Sequence, residues 1–583
     1  MMSNDSHIPR LKALVIVAAL FWVILAGNLF RIQILRGAEY AEDARGQHER
    51  RKALEAMRGR VLDRNGEELA INLRSSSFAA DPARVDEPAL VSRRVSRLIG
   101  RSQPGLLRTL QSRGSFVWVA RKTEPDVAQA MRAWDHPALW EIIETVRWYP
   151  FGSLAGQVVG FTNVDNRGIE GAELSFNDRL NGRPGWHTVS VDGRGYVLAN
   201  ATSPDCVPEH GDNVVLTIDT RYQQILEEEL EQAVGSFRAE SGMGVLLHPK
   251  TGEILAMANV PLCDPNRVWE YKTAFRKNRT ITDIYEPGSV FKIVTAAAVI
   301  EEGAMDSSTV IFCENGRMKV AGGVIHDSHP YDSLTFRQVI KHSSNIGTIK
   351  AARHVGGGAI YKHARLFGFG TKTGVRLPGE VPGMLSHPSR WSRRSLDTIA
   401  MGHEVSVTAL QLAVAYSAVA NGGLLMRPKI VQSVLRPSGT LVYRSEPEVV
   451  RRVISEETAH VLVDMLIDVV QGGTGVNAHI EGVKIGAKTG TAQKVRENGR
   501  GYSDDFISTF AGFLPARDPE LVCVVVLDSP KEAHFSSQVA APTFRRIMQR
   551  ILALKDPPVR FYRQDTIAEI PEAGVLYSSA ETG

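Results

Sequence analysis

Eighteen consecutive residues, Ala13 to Phe30, carry no charge, and Asn28 is the only strongly polar side chain among them. That is long enough to cross a bilayer as a helix. It also exceeds the ~7–15-residue core of a cleaved signal and lacks a clear A-x-A site. Arg10 and Lys12 precede the run and orient a short N-terminal segment, 1–12, to the cytoplasm, against Arg31 and Arg36 beyond it. No second run of this kind follows in the 583 residues. The expected architecture is one anchor, 13–30, carrying a large domain set outside the cytoplasm.

Composition narrows the rest. Lysine and arginine number 68 against 64 acidic residues, a net charge of +4, too small for a nucleic-acid footprint. Hydrophobic residues make up 43%, enough for full cores. Cys206, Cys263, Cys313 and Cys523 lie far apart with no metal-ligand spacing, so neither metal nor cofactor is expected. Cys523 sits in the apolar run Leu521–Leu527 and reads as a buried core residue.

Two soluble parts are expected. Residues 37–210 read as a mixed α/β pedestal with no nucleophile–base pattern. It contains Arg58-Gly-Arg-Val-Leu-Asp-Arg-Asn-Gly66 and, in what reads as a solvated loop, Ser175-Phe-Asn177. A second unit, 211–556, opens with a strand at Gly211–Ile218 and a helix from Arg221 to Ala239. The face of that helix carries Leu226, Leu230 and Val234. A hairpin follows, Gly244–Leu247 and Glu253–Met257 about the turn Pro249–Gly252. Strand patterns return at Phe510–Phe513 and Leu521–Leu527, then a helix from Ala541 to Leu554. Strands at both ends with helices between predict one α/β (α+β) domain whose sheet joins its two ends. The Glu-, Ala- and Ser-rich tail, 557–583, is expected to be loose.

The chemistry concentrates in three short motifs. Ser289-Val-Phe-Lys292 is the single S-x-x-K match. It follows Tyr285-Glu-Pro-Gly288 and opens the apolar helix Val290–Ile300. A serine at a helix start has an unpaired backbone N–H for an oxyanion, and a lysine three residues on shares its face. Burial lowers the lysine pKa and makes it a base toward the serine. Ser343-Ser-Asn345 follows downstream. Lys-Thr-Gly occurs three times. Lys250-Thr-Gly252 is a hairpin turn and Lys372-Thr-Gly374 lies in a glycine-studded loop. Lys488-Thr-Gly490 can sit on a strand, where Thr489 and Thr491 share a face and Gly490 leaves room for a substrate backbone. The third is therefore selected.

The order Ser-x-x-Lys, Ser-x-Asn, Lys-Thr-Gly resembles penicillin-binding proteins and serine β-lactamases. With Arg58–Gly66, Tyr285–Ser289, Leu377-Pro-Gly-Glu380 and Val407-Thr-Ala-Leu-Gln411 the chain resembles a class B high-molecular-weight penicillin-binding protein over nearly its whole length. Its length and its end after Ala541–Phe544 resemble the division-specific, septal branch. The sidewall elongation type is the alternative within the family. A β-lactam sensor would need several spans, and an idle division scaffold would not need the intact motifs. One departure is Gly402-His-Glu404, where the commoner pattern is Gly-x-Gly.

The resemblance implies a penicillin-binding transpeptidase fold, a sheet with helices on both sides. It implies that Ser289 attacks the penultimate D-alanine carbonyl of a D-Ala-D-Ala stem peptide and that Lys292 is its base. Ser343, assisted by Lys488, relays a proton to the leaving D-alanine, and Asn345 holds the substrate amide and Lys292. Thr489 and Thr491, about Gly490, receive the terminal carboxylate. The N–H groups of Ser289 and Thr491 form the oxyanion hole. β-Lactams are the expected inhibitors, and a SEDS-type membrane glycosyltransferase and other division proteins the expected partners. No Glu-x-x-x-Asn element lies between Asn345 and Lys488 to activate water as in class A β-lactamases, so transfer is expected over hydrolysis. The expected location is the cytoplasmic membrane, single-pass, with the catalytic domain periplasmic.

Overall fold

The computed structural model describes residues 8–40, 42, 49–191, 197–199, 204–321, 323–496 and 501–554. The expected loose tail, 557–583, lies outside them. The chain divides into two compact units, Met1–Met57 with Gly182–His210, and Arg58–Asn181 with Gly211–Gly583. The first holds the helix Ile8–Phe30, continued by a wider turn over Arg31–Leu35, and every residue from Ile8 to Phe30 is exposed. An apolar helix with no buried residue has the length and composition to cross a membrane. The same unit holds a three-stranded sheet of Glu49–Leu54, Gly185–Val191 and Val197–Ala199.

The second unit is built on a five-stranded antiparallel sheet. Its strands are β1 (Ser241–Leu247), β2 (Ile254–Val260), β3 (Gly486–Val495), β4 (Tyr502–Leu514) and β5 (Leu521–Asp528), in the order β2-β1-β5-β4-β3. The sheet thus joins the two ends of the predicted domain. Among its helices are α1 (Thr220–Ser236), α2 (Lys292–Glu301), α3 (Asn345–Val355), α4 (Ala409–Ala420), α5 (Glu456–Gly472) and α6 (Ala540–Leu552). Central strand β5 explains why Leu521–Leu527 is continuously apolar. Val522, Val524 and Val526 face one core with α2 and α4, and Cys523 and Val525 face another with α1 and α6. A strand buried on both faces has no polar side to show.

Helix α4 is buried along its whole length, so it reads as Ala, Leu and Val on every face, closed by a Thr408–Gln411 capping box. It passes beneath the segment that carries Ser289, where the Tyr416 hydroxyl donates to the Val290 carbonyl at 3.0 Å.

The strand expected to open the catalytic unit, Asn213–Leu216, is not part of the central sheet. It pairs in parallel with Val61–Leu62 and antiparallel with Val431–Leu435, inside a seven-stranded sheet that extends through Glu68–Ala80. Neither partner has a local sequence link to it. Ser175-Phe-Asn177 is not a solvated loop either: Asn177 Oδ1 accepts from Arg58 Nη1 at 3.0 Å and from the Gly168 N–H at 2.9 Å.

Candidate active site

The site is assembled where α2, α3 and β3 meet. Gly288–Phe291 forms a tight 3-10 turn that runs directly into α2, so Ser289 stands at a helix entrance, half-buried. Lys292, the first residue of α2, is fully buried. A turn this tight is held by close backbone approaches. Gly402 sits at φ +88°, and a Cβ there would lie 2.0 Å from the Gly288 carbonyl oxygen. The Gly288 N–H donates to the Gly402 carbonyl at 3.0 Å. On the other side, a Cβ on Gly490 would lie 2.7 Å from the Pro287 carbonyl oxygen. Only glycine lets β3 and the 402 loop clamp the turn from both sides.

Ser343 caps the preceding helix, Phe336–His342, in the left-handed conformation, φ +58°, which is costly for a residue with a Cβ. That bend brings its carbonyl and hydroxyl back toward Lys292. Lys292 Nζ donates to the Ser343 carbonyl at 2.7 Å, to Asn345 Oδ1 at 2.8 Å and to Ser343 Oγ at 3.3 Å. From β3, the fully buried Lys488 reaches the same Ser343 Oγ at 2.8 Å. The three motifs, some 200 residues apart from end to end, therefore converge on one hydroxyl.

Neither ammonium has a carboxylate in hydrogen-bond contact among the described residues. Burial without ionic pairing favours the neutral form of a lysine. Burial pushes the Lys292 amine down to about 7, with Asp327 opposing the shift. Lys488 is depressed well below the usual lysine range by burial and by the neighbouring Lys292 charge. Ser289, by contrast, has no side-chain hydrogen bond among the described residues, so its hydroxyl is not committed elsewhere.

On β3, Thr489 and Thr491 lie on the face their spacing predicts, each with a partner. Thr489 Oγ1 lies 2.7 Å from Thr474 Oγ1, and Thr491 Oγ1 accepts from the Ser536 N–H at 3.0 Å. The two unselected Lys-Thr-Gly runs are surface features. Lys250 pairs with Asp518 at 2.5 Å. Lys372 is exposed, in a loop where Glu380 accepts from the Thr373 N–H and hydroxyl. Glu380 is thus spent on its own loop.

Several site residues have no signal in the sequence. Asp327 carries the Ser-Ser-Asn segment: Oδ1 accepts from the Asn345 N–H at 2.5 Å and the Ile346 N–H at 3.1 Å, and Oδ2 from Ser344 Oγ at 2.6 Å. Nothing in its spacing links it to Asn345. Thr474 and Ser536, which support the two threonines, come from distant loops. Glu286 stands beside Ser289 in sequence, and its partners show only in the fold. His403 Nδ1 lies 2.7 Å from Glu286 Oε2, and the Glu404 N–H donates to Oε1 at 2.9 Å. Among the described residues no group of His, Cys, Asp and Glu could hold a metal.

A serine at a helix start, a second serine between two buried lysines, and a Lys-Thr-Gly strand at the sheet edge form the arrangement of a penicillin-recognising serine enzyme. Comparison with known proteins agrees. Residues 242–549 match the penicillin-binding protein transpeptidase domain, and residues 53–216 the penicillin-binding protein dimerisation domain. The chain is 35% identical to the probable peptidoglycan D,D-transpeptidase PbpC of Pseudomonas aeruginosa over 97% of its length and 99% of the relative's. It is 32% identical to peptidoglycan D,D-transpeptidase FtsI of Escherichia coli, over 91% and 89%. The crystal structure of penicillin-binding protein 3 from Mycobacterium tuberculosis, complexed with aztreonam, superposes with a TM-score of 0.68 at 29% identity, covering 87% of this chain and 99% of that one. The chain belongs to the class B penicillin-binding proteins, and its enzymatic class is that of a transpeptidase.

Proposed function

We propose that this enzyme is a peptidoglycan D,D-transpeptidase that crosslinks stem peptides during septal wall synthesis, through a covalent ester on Ser289. The observation that carries the chemistry is the pair of buried lysines, Lys292 and Lys488, on one serine hydroxyl. A lysine pushed down to about 7 is substantially neutral near neutral pH and takes the Ser289 proton as Oγ attacks the penultimate D-alanine carbonyl. The backbone N–H groups of Ser289 and Thr491 receive the oxyanion. Ser343, between the two amines, passes a proton to the departing D-alanine. Thr489 and Thr491, about Gly490, hold the terminal carboxylate, and its negative charge restores the protonated form of Lys488. Asn345 fixes Lys292 and the substrate amide. An acceptor amine then displaces Ser289 and forms the crosslink.

Around this centre the reading assigns 13–30 as anchor, 37–210 as pedestal and 211–556 as the catalytic domain, periplasmic and single-pass. A SEDS-type glycosyltransferase is the matching membrane partner. Mass spectrometry of penicillin-treated protein tests the chemistry. The expected result is one adduct, on Ser289; an adduct elsewhere, or none, overturns the assignment. A fluorescent fusion tests the setting. Accumulation at the division site is expected, and an even sidewall distribution would reassign the enzyme to elongation.

A further inference from the structure

A cavity of about 880 Å³ opens beside the nucleophile turn, its wall formed in part by Tyr285 and Glu286, the fourth and third residues before Ser289. That volume suits a peptide-sized ligand rather than a water or an ion. Two of its carboxylates are unlike the others. Lys494 is held by Asp528 at 2.8 Å and Glu240 at 3.2 Å, and Arg279 lies 3.7 Å from Asp283. Glu286 and Glu404 pair with no lysine or arginine among the described residues. Among the described residues Glu286 receives the Glu404 N–H, His403 Nδ1 and the Tyr502 hydroxyl at 3.1 Å. Glu404 is held by two hydroxyls, Ser395 Oγ and Thr398 Oγ1, each at 2.6 Å. The same cavity is lined by Ser241, 1% exposed, whose Oγ has no hydrogen-bond partner among the described residues. A buried hydroxyl left unpaired in a cavity wall points to a polar ligand there.

Glu404 also stands in the left-handed region, φ +54°, at the position where the resemblance places glycine. A glycine would meet that backbone demand at no steric cost. The chain instead has a carboxylate there, fixed by hydroxyls and open to solvent. Backbone strain kept in a residue that bonds Glu286, three residues before Ser289, reads as a functional placement.

We infer that Glu286 and Glu404 bind the ammonium group of the acceptor strand, and that this cavity is the acceptor subsite. The inference rests on the transpeptidase reading, since only transfer consumes an amine. Aliphatic amines are protonated near neutral pH and reach the enzyme as ammonium ions. Two carboxylates with no lysine or arginine partner among the described residues gather such an ion on the cavity wall that begins three residues before Ser289. The amine attacks the ester as its neutral form, its proton passing to Lys292, which is neutral again once D-alanine has left. The cationic charge is the recognised feature, and the acceptor class is a peptide bearing a side-chain primary amine.

The test separates the two half-reactions. Covalent labelling by fluorescent penicillin reads acylation of Ser289. A thioester of an N-acyl-D-alanine, turned over with an acetylated peptide carrying one side-chain amine, reads the ratio of aminolysis to hydrolysis. Glu404→Gln and Glu404→Gly are the informative variants, the second also relieving the strained backbone. The expected result is a fall in that ratio on the order of tenfold or more in both, the loss of a hydrogen bond to a charged group. A ratio unchanged in both variants, with Ser289 acylated in the wild type, overturns the subsite alone. A wild type that is not acylated at Ser289 overturns the transpeptidase reading and the subsite with it.

Discussion

Among the described residues, arginines and lysines are buried in two places, and the two handle them in opposite ways. In one, Arg58 and Arg147 share a single carboxylate: Arg58 Nε donates to Glu173 Oε2 at 2.7 Å and Arg147 Nε to Oε1 at 2.6 Å. Asn177 and Asn181 take further Arg58 protons, and Asn72 one from Arg147. In the other, Lys292 and Lys488 meet on Ser343 with neutral acceptors only. Arginine stays charged even where burial lowers its pKa, as for Arg58, so its charge must be matched. Lysine can shed its proton. The first arrangement can only hold structure together; the second can do acid–base work.

The largest effect expected from breaking this contrast is at the lysine site. Ser289→Ala and Lys292→Ala should each cut penicillin acylation by roughly 10⁶-fold, because groups acting as a unit fail together. Lys292→Arg should be nearly as inactive, since a guanidinium cannot become the base. A rapidly acylated arginine variant would erase the distinction. At the arginine site the effect should fall on stability. Glu173→Gln leaves two buried guanidinium groups with no carboxylate and should cost about 3–5 kcal/mol in denaturant unfolding. The acylation rate per folded molecule should hold.

A smaller loss is expected for Thr489→Val, roughly 10–100-fold in acylation by a penicillin and less by its neutral ester, for one hydrogen bond to a carboxylate. Equal slowing of both ligands would remove Thr489 from carboxylate recognition. Acidity gives a graded test. Below the folded pKa of about 7 the Lys292 amine is protonated, so acylation should fall about tenfold per pH unit and level off above it. A flat rate profile from pH 5 to 8 would mean that Lys292 is not the base. The smallest effects belong to Lys250→Ala and Lys372→Ala, within a few-fold of wild type, measured beside a severe loss in Lys488→Ala.

What the sequence made legible follows from how local each signal is. Ser289 and Lys292 lie on one helical turn, and Thr489, Gly490 and Thr491 on one strand, so spacing alone places them together. Lys488 could be chosen over Lys250 and Lys372 because the strand pattern of Val483–Ala487 runs into it. The hairpin β1–β2 and the apolar β5 were readable for the same reason. Asp327 was not, because it grips Asn345 through space with no periodic relation. The pairing of Asn213–Leu216 with Val61–Leu62 likewise depends on contacts across about 150 residues. Glu404 was visible only as a departure from a pattern. That it takes a glycine-like backbone conformation and keeps a carboxylate there needs the dihedral angle and the Ser395 and Thr398 hydroxyls to be seen.

The five-stranded sheet also sets a timetable. Strand β1 pairs with β5, so residues 241–247 wait for 521–528, and Lys488 arrives on β3 nearly 200 residues after Ser289. Contacts this distant in sequence form late and slowly. A chain made from its N-terminus carries its nucleophile long before it carries the second lysine and the central strand that position it. A nascent chain is therefore expected to be inert toward substrate and antibiotic alike until the last strands dock.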